Sequence, residues 1–177
     1  MEFPVMVLGI HPHLLFEVLG YIGGLATTVW ISSSREDTVE PEQRHALIVA
    51  GLFGALLGAK LLAWAQHPQA TFLAATEEPA FLLGGKTIVG GLLGGMAAIE
   101  LAKKAMGITK RTGDAMVLPL VVGMSIGRIG CFLTGLEDST FGIETGLPWG
   151  IDLGDGVSRH PTALYEILAL WGIYFSI

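Results

Sequence analysis

The residues best suited to chemistry lie in the stretch 127–135, Gly127-Arg128-Ile129-Gly130-Cys131-Phe132-Leu133-Thr134-Gly135. Arg128 is the only charge in the apolar run 115–133. A guanidinium in such a run costs roughly 2.5–3.5 kcal/mol at a helix centre and less near an interface. Arginine cannot escape that cost by losing its proton. It therefore needs a carboxylate, a carbonyl, water or a phosphate beside it. The flanking glycines, Gly127, Gly130 and Gly135, let another backbone or a lipid headgroup approach closely. A second stretch, Arg159-His160-Pro161-Thr162-Ala163-Leu164-Tyr165-Glu166, puts a carboxylate one turn into another apolar segment. Glu166 is the natural partner for Arg128, because an intramembrane charge seeks its opposite. A third, Pro148-Trp149-Gly150, carries a tryptophan suited to a membrane interface.

The elements that must position these groups are set by composition. The chain has 177 residues, is 51% hydrophobic and has a mean hydropathy of +0.61. Only 15% of its residues are charged, against about 25% in soluble domains, which points to an integral membrane protein. The 25 glycines suit helices that pack closely through small residues. One cysteine, Cys131, excludes an intrachain disulfide and argues against a thiolate metal site. No cofactor is expected. The net charge of −6 says little, since charge placement around spans matters more than the total. The first ten residues lack the basic start of a signal peptide.

The expected fold is an all-α polytopic membrane helix bundle forming one membrane domain over 1–177. Its spans fall at 14–31, 46–65, 87–102, 115–133 and 162–177. The last holds 16 residues, short of the ~20 needed to cross, and reads as an incomplete segment of a longer protein. His11-Pro12-His13 reads as a surface or re-entrant piece, and 66–86, with Pro68 and Pro79, as a loop. In the third span Gly90-Gly91 and Gly94-Gly95 repeat four residues apart, a pattern that brings helices together. Lys103, Lys104, Lys110 and Arg111 cluster after that span, which places the connection in the cytoplasm by the positive-inside rule. Counting forward, Arg128 and the polar loop 134–160 then face outward.

In order along the chain, Thr112-Gly113-Asp114, Pro119, Gly-Arg-Ile-Gly-Cys-Phe, Pro-Trp-Gly and Arg-His-Pro-Thr-Ala-Leu-Tyr-Glu resemble the prolipoprotein diacylglyceryl transferase family, over about 51–166. The resemblance implies a bacterial inner-membrane enzyme of seven spans, about five of them present here. It would move diacylglycerol from phosphatidylglycerol to the lipobox cysteine of a prolipoprotein signal peptide, forming a thioether and releasing glycerol phosphate. Its partners would be these two substrates and membrane lipids, not nucleic acid. Arg128 matches the family's signature arginine and would bind the phosphate, since a preorganised guanidinium stabilises charge developing on a leaving group. Glu166 and Tyr165 would orient it and His160 would assist. Gly127, Gly130, Thr134, Gly135, Gly90, Gly91 and Arg159 would shape the substrate site.

The sequence also departs from the family pattern. Val89 stands where the third-helix histidine is expected, Cys131 and Thr134 stand at two asparagines, and Leu136 stands at an acidic position beside Glu137. Lys60 takes the place of an arginine, and Glu17, near Tyr21, that of a tyrosine. Valine accepts no proton, so His160 and Glu137 are the candidate bases for an acceptor thiol. Two other readings compete: a catalytically impaired lipid-binding paralogue of the same fold, and a small-molecule transporter component. The second is weakened by the shortage of paired intramembrane charges and of an evident inverted repeat. Cys131, in an apolar run, reads as a packing residue.

Overall fold

The computed structural model describes residues 3–34, 40–66, 68, 69, 71 and 85–176. Helices α1 (Pro12–Ser34), α2 (Pro41–Gln66), α3 (Ile88–Ala105), α4 (Gly113–Thr134) and α5 (Thr162–Ser176) follow one another along the chain. A short 3-10 turn, Gly135–Glu137, and two strands, β1 (Ile151–Asp152) and β2 (Ser158–Arg159), lie between α4 and α5. The protein is an all-α membrane helix bundle. Among the described residues three helices are long and apolar enough to cross a membrane: Pro12–Ser32, Pro41–Gln66 and Gly113–Glu137. Helix α3 carries Glu100, Lys103 and Lys104 near its end, and α5 has 15 residues.

Apolar side chains point outward on these helices: Phe53, Leu56, Leu101 and Leu168 are each two-thirds or more exposed. In water such a surface would drive aggregation, whereas in lipid it is the ordinary solvent-facing side. The helices instead meet through their small residues, as packing in lipid favours.

Contacts group the chain into two units, Asp37–Lys110 and a second made of Met1–Glu36 with Arg111–Ile177. Within the first, α2 packs on α3 through glycines on both sides. A Cβ on Gly94 would collide with the Gly54 carbonyl oxygen and lie 2.8 Å from Gly58 Cα. Thr87 caps α3, its Oγ1 accepting from Gly90 N at 3.2 Å, so the glycine run follows a well-formed N-cap. Lys60, the charge in the second apolar run, donates to the Gly85 carbonyl at 3.0 Å. The loop expected at 66–86 falls mostly outside the described residues.

Within the second unit α1 packs along α4, and α5 packs on the later part of α4. Gly20 and Gly123 face each other, with Gly123 O only 2.8 Å from a Cβ built at Gly20. Pro119 sits inside α4, which a membrane helix tolerates when neighbours satisfy the freed backbone. Helix α1 begins earlier than expected. Pro12 stands at its first position, where the missing N–H is no loss, so His13 belongs to the helix rather than to a surface piece.

The loop 134–160 is more ordered than its composition suggests. Strands β1 and β2 pair antiparallel, Ile151 with Arg159 and Asp152 with Ser158. Asp152 Oδ1 accepts from Gly154 N and Gly156 N at 2.8 and 3.0 Å, and both glycines hold positive φ. Two-residue strands are too short to show a period-2 pattern.

A candidate lipid-phosphate site at the end of the fourth helix

Every side chain of the site described below belongs to the unit built from α1, α4 and α5. Arg128 lies six residues before the end of α4, with a side chain only 14% exposed. Its Nε meets Glu166 Oε2 at 2.5 Å, while the Glu166 side chain remains 45% exposed. The expected pairing of these two charges is therefore present, and α5 supplies the carboxylate from its first turns. With one partner half in solvent, the pair's role is to orient the guanidinium rather than to hold the fold together. Arg128 Nη1 reaches Cys131 Sγ at 3.8 Å.

Tyr165 does not contribute to that arginine through any hydrogen bond among the described residues. Its hydroxyl accepts from Trp149 Nε1 at 2.7 Å and lies 3.2 Å from His160 Nδ1. The Pro-Trp-Gly and His-Pro…Tyr-Glu stretches are thus joined by a Trp149–Tyr165–His160 chain. His160 also packs edge-on against the Tyr165 ring. Arg159 turns back into its own loop, pairing with Asp155 and lying 5.1 Å over the Phe141 ring. Its hydrogen bond holds the exposed Asp155 carboxyl below its ordinary pKa.

The glycines divide by what surrounds them. Gly127 has open space where a side chain would be. Gly130 instead faces α1, where an added methyl group would lie 2.5 Å from Phe16 Cβ and 3.2 Å from the Pro12 carbonyl. Gly135 adopts φ +69° and is covered by Phe3. Thr134 is buried and donates to the Gly130 carbonyl at 2.8 Å, spending its hydroxyl proton within the helix. In the other unit, Gly90 sits against Gly58 O and Gly91 lies at ordinary distance from Ala55 O, both within the α2–α3 seam. Val89 is exposed on α3.

Sequence reasoning missed a cluster on the opposite side of Cys131. Helix α1 brings His13 Nδ1 to within 3.3 Å of Asp138 Oδ2, and His11 Nε2 to within 3.1 Å of Glu137 Oε2. The Asp138 side chain is 8% exposed. Its Oδ1 accepts from Thr140 N and Oγ1 at 3.0 and 2.8 Å. Burial pushes its carboxyl up, but hydrogen bonds from Cys131 and Thr140 and the charge of His13 more than offset this, leaving its pKa below the usual carboxylate value. Although a single cysteine argued against a metal site, ligand-capable atoms of His13, Cys131 and Asp138 all lie within 4.8 Å of one another. A groove of about 470 Å³ opens beside them, lined by His11, His13, Glu17, Thr134, Glu137 and Asp138. The histidines stand far ahead of the α4 motif in sequence, and only the α1–α4 packing joins them.

An all-α chain whose long apolar helices pack through glycines and hold one buried arginine against a carboxylate belongs to the class of integral membrane helix bundles. Its family is narrower. The family model for prolipoprotein diacylglyceryl transferase matches residues 3–177, and the chain belongs to that family. It is 32% identical over 166 residues to the phosphatidylglycerol–prolipoprotein diacylglyceryl transferase of Vibrio atlanticus (strain LGP32), covering 88% of this chain and 58% of that one. It is 40% identical over 92 residues to the enzyme of that name from Clostridioides difficile (strain 630), covering 51% and 36% of the two chains. A 36% match over 122 residues to the Methylobacillus flagellatus enzyme covers 67% and 46%. The chain spans less than three fifths of the length of each of these three curated relatives.

Proposed function

We propose that this protein transfers the diacylglyceryl group of phosphatidylglycerol to the lipobox cysteine of a prolipoprotein signal peptide, at the outer face of the bacterial inner membrane. The observation that carries the reading is the state of Arg128. Glu166 holds its Nε, while among the described residues Nη1 meets the weak sulfur acceptor of Cys131 at 3.8 Å. A phosphate oxygen is a far stronger acceptor for a guanidinium than a thiol sulfur. The lipid phosphate takes that place, and the preceding residue, Gly127, has open space where a side chain would be.

In the reaction the acceptor thiolate attacks the glyceryl carbon that bears the phosphate. The carbon–oxygen bond breaks, its electron pair leaves with the phosphate oxygen, and the thioether and glycerol phosphate separate. Arg128 stabilises the charge arriving on that oxygen. Glu166 keeps the guanidinium aimed, so little reorganisation is needed during the step. Trp149, Tyr165 and His160 form a rim where an exposed tryptophan and tyrosine suit the headgroup layer. The basic cluster Lys103, Lys104, Lys110 and Arg111 supports an outward orientation of this end. Gly130, Thr134, Gly135 and Arg159 serve by shaping the walls, and Gly90 and Gly91 by packing α3 on α2.

The test is thioether formation in membranes supplied with phosphatidylglycerol and a lipobox peptide. Arg128→Ala should lower the rate by about 10²–10³-fold, the usual effect of losing one transition-state charge donor. An unchanged rate would remove Arg128 from the mechanism.

A further inference from the structure

The transferase reading leaves one chemical requirement unassigned. A cysteine thiol with its ordinary pKa of ~8.5 is only ~3% thiolate at pH 7, so the acceptor needs a base at the reacting end of the site. His160, one candidate, has its Nδ1 at the Tyr165 hydroxyl. Glu137, the other, faces His11 with a side chain 61% exposed.

His13 is differently placed. Its Nδ1 faces the nine-tenths buried carboxylate of Asp138 at 3.3 Å, and its Nε2 lies 4.0 Å from Glu17 Oε2, beyond hydrogen-bond reach. The ring itself is exposed to the groove. Asp138 Oδ2 is buried without a hydrogen-bond partner among the described residues, and a proton on His13 Nδ1, 3.3 Å away, is the donor that would satisfy it. That tautomer leaves Nε2 as the proton acceptor, which is the logic of a histidine base with a third orienting group. Asp138 is fixed in turn by two bonds from Thr140. Cys131 joins this pair to the phosphate site. Its sulfur lies within 4.8 Å of the His13 and Asp138 atoms on one side and 3.8 Å from Arg128 on the other. A base and an anion-binding cation therefore flank one point of α4.

We propose that His13, oriented at Nδ1 by Asp138, is the general base that takes the proton from the acceptor thiol in the groove lined by Thr134 and Asp138, across Cys131 from Arg128. This rests on the transferase reading above. The S–H proton passes to His13 Nε2 and sulfur keeps the electron pair. The sulfur–carbon bond forms as the carbon–oxygen bond breaks, and the departing glycerol phosphate takes up one proton, returning the imidazole to its neutral form. His13 is a catalytic residue in this scheme, and Asp138 a positioning one.

The test uses the intact protein in phosphatidylglycerol-containing membranes, with His13→Gln, Asp138→Asn and His11→Gln compared at pH 7 and 9.5. Losing a general base should lower the rate by about 10²-fold or more. His13→Gln should then regain about 30-fold on going to pH 9.5, because the acceptor ionises by itself from ~3% to ~90%. Asp138→Asn should fall and recover in the same direction. His11→Gln, which alters the groove wall but not the base, should show no selective recovery at pH 9.5 or with a selenol acceptor. The charged and titratable groups facing His13 are Glu17 on its own helix, Asp138 and Cys131 from α4 and its following turn, and beyond them His11, Glu137 and Arg128. A Cys131→Ser control removes the only neighbouring thiol from the pH comparison. A selenocysteine acceptor peptide, ionised at neutral pH, should restore His13→Gln at pH 7, which a misfolded variant would not show.

A His13→Gln deficit that stays constant with pH and with the selenol acceptor would overturn the assignment. So would an equal recovery of His11→Gln at pH 9.5, or loss of wild-type activity on chelation with recovery on adding zinc, which would make His13, Cys131 and Asp138 metal ligands. A wild-type protein that forms no thioether with either peptide would sink the transferase reading and this assignment together. An active wild type matched by His13→Gln would sink the assignment alone.

Discussion

Two glycines of one motif, Gly127 and Gly130, should respond in opposite ways to the same added methyl group. At Gly130 the new Cβ would lie 2.5 Å from Phe16 Cβ and 3.2 Å from the Pro12 carbonyl oxygen. Both obstacles are fixed to the α1 backbone, so no rotamer change clears them. Restoring an ordinary carbon–carbon separation of about 3.5–4.0 Å requires α1 and α4 to part by roughly 1 Å. Overpacking of that kind costs about 1–3 kcal/mol, against a helix-propensity gain of at most about 1 kcal/mol for replacing glycine with alanine. The expected net for Gly130→Ala is a loss of up to about 2 kcal/mol. At Gly127 a Cβ meets nothing within 4 Å, so only the propensity gain of about 1 kcal/mol remains. Thermal unfolding of the purified protein in detergent should thus show Gly130→Ala less stable than wild type and Gly127→Ala equal or slightly more stable. Thioether formation should separate them again: if the headgroup reaches Arg128 past Gly127, Gly127→Ala should lower the rate while the fold is intact. Equal shifts in both variants would refute the distinction between a packing glycine and an approach glycine. Full activity in Gly127→Ala would remove that side as the route of the headgroup.

Other expectations follow from the same geometry. In the α2–α3 seam, Gly94→Ala collides with the Gly54 carbonyl oxygen, whereas Gly91→Ala meets backbone only at 3.6 Å, so only the first should lower the unfolding temperature; comparable losses would contradict the seam. Glu166→Gln should lower transfer less than Arg128→Ala does, because it releases the guanidinium without removing it, and combining the two should add little to the arginine change alone. Asp138 has a depressed pKa in the folded protein, so its carboxylate contributes stability that is fully present above the unfolded value of ~3.9 and is lost as pH falls through the lower folded value. An acid-unfolding curve should therefore be flattened below pH ~4 in Asp138→Asn relative to wild type, and superimposable curves would contradict the pairing with His13, Cys131 and Thr140.

Hydropathy and one misplaced charge are enough to define the class of fold and the anchor of the site. Long apolar segments that bury their own backbone hydrogen bonds have one outcome in lipid, so α1, α2 and α4 are legible from the residue order. Arg128 is legible because a permanent charge in such a segment demands a partner, and Glu166 is the matching charge at the right depth. How the remaining residues divide depends on which surfaces come to face one another. Gly127 and Gly130 look alike in sequence, yet only the facing surface of α1 makes one a contact and leaves the other open. Residue order points Tyr165 at the arginine, but the chain reversal through β1 and β2 hands its hydroxyl to Trp149 and His160. His13 and Asp138 carry no local signal at all. A histidine at the start of one helix and an aspartate past the end of another meet only because small residues let α1 and α4 pack closely, and periodicity within a helix says nothing about which helix will lie against it.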